Sequence, residues 1–144
     1  MKGKCLCGEV EFEIVGSMPA IYQCHCSLCR RITGSSANAA TVVDRDQLNW
    51  LRGQASIRQY STPGGFKSHF CDRCGSPLPN PTREDSAWWV PVGLLDDDAS
   101  IELALHVYVG SKAEWETLPQ AGEHFDEMPD RDELHRLLHH GKSV

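Results

Sequence analysis

The sequence predicts a mostly β chain with a few short helices. Three observations predict it: polar and apolar residues alternate with a period of two over several short runs, a Thr-Pro-Gly-Gly turn signal separates two of those runs, and helix-start signals open only brief segments. Taken in order, the first element lies between Cys7 and Gly16, where Val10, Phe12 and Ile14 alternate with Glu9, Glu11 and Glu13, the pattern of a half-buried strand. Ser27 is placed to cap a helix of one or two turns that ends at Gly34. Strands are expected at 39–43, 49–52, 56–60 and 66–70, with Thr62-Pro63-Gly64-Gly65 turning the chain between the last two, because Pro presets φ and Gly tolerates positive φ. Further strands are expected at 87–92 and 101–109, the latter with Ile101, Leu103, Leu105, Val107 and Val109 on one face. Ser111 is placed to cap a short helix through Trp115. Asp130 is placed to cap a third that puts Leu134, Leu137 and Leu138 on one side, and the tail 130–144 is read as helical or frayed.

At 144 residues the chain has the size of one domain with one core, spanning 1–144. A charged fraction of 24% and a mean hydropathy of -0.39 are those of a soluble globular protein, and no apolar run approaches the roughly 20 residues a membrane helix needs. A net charge of -6 with a sequence pI near 5.6 argues against nucleic acid or an anionic membrane surface as partner. The start, MKGKCLCGEVEFEIV, enters a strand pattern without the apolar core of a secretory signal, so the expected location is cytoplasmic. Seven cysteines cannot all pair in disulfides, and a reducing compartment disfavours such pairing, so metal binding or thiol chemistry is the starting point.

The cysteines form three groups: Cys5-Leu-Cys7, Cys24-His-Cys26-Ser-Leu-Cys29, and Cys71-Asp-Arg-Cys74 followed by Gly75. On a strand, Cys5 and Cys7 would project to one side, and Cys71 with Cys74 has the spacing of a zinc knuckle. The two pairs together make the closed four-cysteine set of a structural zinc site, which leaves Cys24, Cys26 and Cys29 as three ligands with an open fourth position, the pattern of a catalytic zinc. Soft thiolates favour zinc over magnesium or calcium. Another reading completes the triad with His25, His69 or His106; His25, between two ligands, points away from the metal in an extended segment and is expected to be exposed or to support the ligands from behind. A further reading is thiol–disulfide exchange through Cys71 and Cys74.

Arg30 and Arg31 have two readings of equal standing, as favourable charge at a helix C-terminus or as a grip on a substrate carboxylate. Trp88 and Trp89 read as one core and one surface aromatic of a strand. Glu123, Asp126 and Glu127 read as a solvated face, and His139 and His140 as part of the tail without a metal.

With these residues set out, the chain resembles the glutathione-dependent formaldehyde-activating enzyme family, the S-(hydroxymethyl)glutathione synthase-like carbon–sulfur lyases. The resemblance runs through CLCGEVEFEI, CHCSLCRRITGSS, FCDRCGSPL, VGLLDD and HVYVGSKAEWETLPQ, nearly all of residues 3–129. It implies a zinc-stapled β-tent of twisted antiparallel sheets with short helices and two zinc ions per chain. The structural ion would be held by Cys5, Cys7, Cys71 and Cys74 and the catalytic one by Cys24, Cys26 and Cys29. It also implies glutathione as the small-molecule thiol partner, bound at the second zinc, and capture of formaldehyde as S-hydroxymethylglutathione. Glutathione's two carboxylates ask for a basic rim, for which Arg30 or Arg31 come first, then Lys67 and Arg73. The segment PLPNP departs from the family, which commonly has an apolar or aromatic residue soon after the leucine, so the resemblance does not carry over the local pocket shape, while the metal sites are unaffected. The rival from another class is a non-catalytic zinc module of tent-like fold that binds a protein partner. The sequence assigns no oligomeric state.

Overall fold

The computed structural model describes residues 1–96 and 100–139. Its strands are β1 Lys2–Lys4, β2 Glu11–Ile14, β3 Ile21–Cys24, β4 Asn38–Asp44, β5 Leu48–Arg52 and β6 Ile57–Ser61. They continue with β7 Lys67–Cys71, β8 Pro77–Leu78, β9 Asn80–Pro81, β10 Ala87–Pro91, β11 Leu103–Val107 and β12 Glu123–His124. Helix α1 is Ser27–Thr33 and α2 is Arg131–His139. The mostly β class with short helices is as expected. The described residues of Met1–Met18 and Val42–Asp98 form one compact unit, and those of Pro19–Thr41 and Ala99–Val144 another.

In the first unit β1, β2 and β5 make an antiparallel sheet, with Gly3 opposite Phe12 and Phe12 opposite Trp50. The alternation in β2 decides which face is buried: Phe12 and Ile14 enter a core with Val43, Leu48 and Val90, against which Met18, Trp50, Trp88, Leu94 and Leu95 pack. Each such side chain contributes about 1.5–3 kcal/mol through burial. The β2 glutamates point outward, and Glu11 meets Arg52 at 2.7 Å. Strands β6 and β7 form the expected hairpin around Thr62–Gly65, closed by Thr62 N donating to Phe66 O at 2.9 Å, and β8 adds antiparallel to β7. A second cluster, Cys5, Val10, Cys71 and Leu78, places two cysteines directly in the hydrophobic interior. Trp88 packs on the first core and Trp89 is half-buried, rather than one inside and one at the surface.

In the second unit β3 pairs antiparallel with the start of β4, Tyr22 opposite Ala40 and Cys24 opposite Asn38. On its other edge β3 pairs with β11, and this pairing is parallel, as is β11 with β12, so the expected antiparallel pattern gives way to parallel pairing around β11. The expected run at 101–109 with one apolar face is shorter and differently buried. Leu105, His106 and Val107 are consecutive and all buried, because β11 lies between two strands with both its faces covered. Asp130 caps α2 as expected, its Oδ1 accepting from Glu133 N at 2.9 Å, and Leu138 is buried. The helix expected from Ser111 through Trp115 is absent. A 3-10 turn, Val109–Ser111, ends at Lys112, whose ψ of 156° is not helical, and the chain goes on to bring Glu116 against His25. Among the described residues no helix is long and apolar enough to cross a membrane.

Candidate metal centres

The first set of thiols forms where β1 and β7 end. The chain does not continue as a strand through Cys5 and Cys7, contrary to expectation. It turns, with Gly8 N donating to Cys5 O at 3.0 Å, just as Gly75 N donates to Cys71 O at 2.8 Å. Both glycines sit at positive φ, 73° and 74°, where a side chain would be strained, so each pair of sulfurs is folded inward over a glycine. The sulfurs of Cys5, Cys7, Cys71 and Cys74 all lie within 4.8 Å of one another. Cys5 to Cys7 is 3.6 Å and Cys7 to Cys71 is 3.9 Å. A tetrahedron with metal–sulfur bonds near 2.3 Å has edges of about 3.8 Å, so the spacing fits a zinc-sized soft cation. The Ser76 hydroxyl, 3.3 Å from the Cys74 sulfur, favours its thiolate and holds Cys74 down to about 6.

The second set is built by the end of β3 and the start of α1. Cys26, not Ser27, is the N-cap: it has extended φ and ψ, and its Sγ accepts from Cys29 N at 3.4 Å, so a thiol takes the role expected of the hydroxyl. Cys24, Cys26 and Cys29 place their sulfurs within 4.8 Å of one another. Hydrogen bonds from the Cys24 and Cys29 thiols pull Cys26 down to about 2, while Cys24 is pushed up to about 11, with its interaction with Cys26 the largest cause. Cys29 is also raised, chiefly by Cys24. The cause is common to all three: sulfurs this close share one negative charge among protons unless a cation compensates the rest. This all-sulfur donor set likewise fits a soft metal ion.

The three histidines that offered a fourth ligand are otherwise engaged. His69 sits 3.0 Å from Pro79 O and 2.9 Å from Gln59 Oε1. His25 is fully buried rather than exposed, its Nδ1 2.9 Å from Glu116 Oε2 and its Nε2 3.0 Å from His106 Nδ1. His106 in turn places Nε2 3.1 Å from Ala121 O. A carbonyl only accepts, so His106 Nε2 carries a hydrogen; burial lowers the pKa of His106, so the neutral ring offers Nδ1 as acceptor, and His25 Nε2 donates to it. One further proton lies between His25 Nδ1 and Glu116. Together with His25 N donating to Val107 O at 3.0 Å, this string fastens the residue between two thiols to β11 and to the segment that follows it. Glu116 is the residue that sequence reasoning missed, since nothing local marks a carboxylate 91 positions from its partner.

Arg30 and Arg31 occupy the last turn of α1, where positive charge is favourable. Arg30 Nη2 donates to Ser111 O at 3.3 Å, and Arg31 is exposed. Lys67 and Arg73 stand in the first unit, paired with Asp85 at 3.0 Å and Glu9 at 2.9 Å. Glu123, Asp126 and Glu127 are exposed, as read. His139 stacks on His135 at 4.2 Å between ring centroids, and His140 lies outside the described residues. In PLPNP, Leu78, Pro79 and Asn80 are buried.

Comparison with known proteins adds three findings. The sequence model of glutathione-dependent formaldehyde-activating enzymes matches residues 1–111. A curated protein of Halomonas elongata that carries the same family description is 35% identical over 86 residues, 54% of this chain and 54% of that protein, so the match spans about half the length of the relative. The crystal structure of a Rhodobacter sphaeroides protein is similar with a TM-score of 0.58 and 28% identity, over 69% of this chain and 92% of that one.

Proposed function

Because the chain belongs to the glutathione-dependent formaldehyde-activating enzyme family, we propose that it is a zinc-dependent carbon–sulfur lyase that interconverts S-hydroxymethylglutathione with glutathione and formaldehyde in the cytoplasm. The observation that carries the reading is the three-thiol set. Among the described residues no fourth protein ligand joins Cys24, Cys26 and Cys29, and the nearby imidazoles of His25 and His106 are held by other partners. A zinc ion held by these three cysteines would lower the pKa of a thiol arriving at its fourth corner and bring thiolate and carbonyl together. The chain's own groups do the rest. Cys26 caps α1 while acting as ligand, so the helix and the donor set form together. Arg31, exposed at the end of α1, and Arg30, tethered to Ser111, supply the positive charge that glutathione's carboxylates require. Cys5, Cys7, Cys71 and Cys74 would hold a second zinc whose shell is complete and whose part is structural.

The uncatalysed addition of glutathione to formaldehyde is itself easy, so the test compares rates over that background. Wild type and Cys26→Ser, each with its zinc content determined, are assayed for hemithioacetal formation. Serine preserves the helix cap but removes the sulfur, so the variant is expected to fold, to keep one zinc of two and to fall to the background rate. Equal rates for the two proteins would remove the enzymatic reading.

A further inference from the structure

Two buried side-chain donors have no hydrogen-bond partner among the described residues, Asn38 Nδ2 and Arg30 Nε. Leaving a buried donor unpaired costs about 1–3 kcal/mol, and native proteins hold few such groups, so two beside one site point to a ligand that pairs them. Asn38 is 4% exposed and stands directly opposite Cys24 in the β3–β4 register. Residues opposite one another on antiparallel strands project from the same face with Cβ atoms about 4.5–5.5 Å apart, so the Asn38 amide shares a face with the Cys24 sulfur. The next pair on that face, Tyr22 and Ala40, is buried as well. Arg30 approaches from the helix: it follows Cys29 and comes one turn after Cys26, and the bond from Nη2 to Ser111 O fixes its guanidinium while leaving Nε unpaired.

The reaction proposed above contains one atom that needs such donors. As the thiolate sulfur attacks formaldehyde, the C–S bond forms and the carbonyl π pair moves onto oxygen. The resulting alkoxide takes up one proton, equal in number to the one the thiol gave up, to end as S–CH2–OH. No electron acceptor or third reactant enters. The three cysteines supply no hydrogen-bond donor to that oxygen once they are thiolates. We propose that Asn38 Nδ2, with Arg30 Nε as second donor, receives the carbonyl oxygen of the aldehyde and holds the charge that develops on it. Asn38 is then a catalytic residue, and the assignment rests on the carbon–sulfur lyase reading. Its unmet hydrogen bond in the absence of substrate is the preorganisation that makes such donors effective, since nothing has to be broken to use them.

The experiment uses the zinc-loaded full chain with glutathione and formaldehyde, comparing wild type, Asn38→Leu and Arg30→Lys for kcat, KM, zinc content and Tm. Leucine shares the branching and heavy-atom count of asparagine, is bulkier, and brings no polar group, so Asn38→Leu is expected to keep both zinc ions and to change Tm little, the removal of an unpaired donor offsetting the added bulk. Its kcat is expected to fall by about 10²–10³-fold, with KM for glutathione within about twofold. Arg30→Lys, which keeps the charge but has no Nε donor, is expected to lower kcat by a smaller factor. Should leucine prevent folding, Asn38→Ala, which leaves space instead of adding bulk, is read in the same way. Unchanged kcat in an active protein overturns the assignment alone. So does a rise in KM at constant kcat, which would make Asn38 a carboxylate contact, or a joint loss of zinc and Tm, which would make it structural. A wild type no faster than background overturns the lyase reading and the assignment with it.

Discussion

Glu116 and His106 act on the second thiol set through His25, and the physical cost of losing each is different. Glu116→Ala leaves a buried imidazole nitrogen without a partner, whereas Glu116→Gln keeps an amide oxygen at about the same place. The alanine variant is expected to lose about 1–3 kcal/mol of stability and to surrender the metal of the three-thiol set to a chelator more readily, and the glutamine variant much less; equal behaviour of the two would mean the carboxylate does not hold the loop. His106 governs the acid limb. Burial is the largest cause lowering its pKa below the usual 6.5, so between those two values the unfolded chain binds a proton that the fold does not. The stability His106 contributes is therefore complete above about pH 6.5 and is lost as pH falls through the lowered folded value. His106→Gln is expected to flatten the fall in Tm between pH 7 and 5, as followed by circular dichroism at matched ionic strength; an unchanged slope would assign the acid limb to other groups. At this scale the grouping of the cysteines was legible because their spacing is a local property of the chain. His25 was legible only in part. Its place between two of the grouped thiols suggests a ring turned away from them, but what it meets depends on residues some 80 to 90 positions later.

The elements that carry the sulfurs are short, and their ends matter more than their lengths. Strands with strict alternation, such as β2, were readable because one face is covered and the other is wet. Strand β3 has the same length and the same alternating burial as β2, but its less buried positions carry Ile21 and Gln23 where β2 has glutamates, so the alternation is not written in the residue types, and β11 is buried on successive residues. The Ser111 signal failed for a related reason: a capping residue proposes a helix, but the contact of Glu116 with His25 takes the chain elsewhere. Where β5 ends, Gly53 lies at φ 78° and a Cβ there would come within 2.1 Å of Glu9 O, a backbone atom just past the first pair of cysteines. Neither the positive φ nor the close approach can be relieved by a rotamer change. Gly53→Ala is thus expected to cost about 2 kcal/mol or more, roughly 5–10 °C in Tm for a chain of this size. A thermal melt within 1–2 °C of wild type would show that the close approach is not needed.

Across the whole chain, the two thiol sets differ in how much of the sequence they tie together, and that difference predicts how the protein responds to metal loss. The 4+3 division was legible from counting, since two close pairs and one close triplet account for all seven cysteines. Which strands would meet was not, because the parallel pairing of β3 with β11 joins segments separated by most of the chain, and no local pattern encodes such a register. Within the first unit, Cys7 and Cys71 are 64 positions apart, whereas Cys24 and Cys29 are separated by five. In the chain-entropy account of a cross-link, closing loops of these lengths restricts the unfolded chain by about 4 and about 2 kcal/mol respectively. A metal shared by Cys5, Cys7, Cys71 and Cys74 would therefore do most of the stapling, while one held by the three-thiol set would have fewer bonds to break and a position through which a chelator can attack. Titrating the zinc-loaded protein with a chelator is expected to release one ion first with little change in far-UV circular dichroism, and the second only together with a large drop in Tm. The same order is expected of single variants, Cys74→Ser losing distinctly more Tm than Cys29→Ser. Simultaneous release of both ions, or a larger loss from Cys29→Ser, would place the staple on the wrong set of sulfurs.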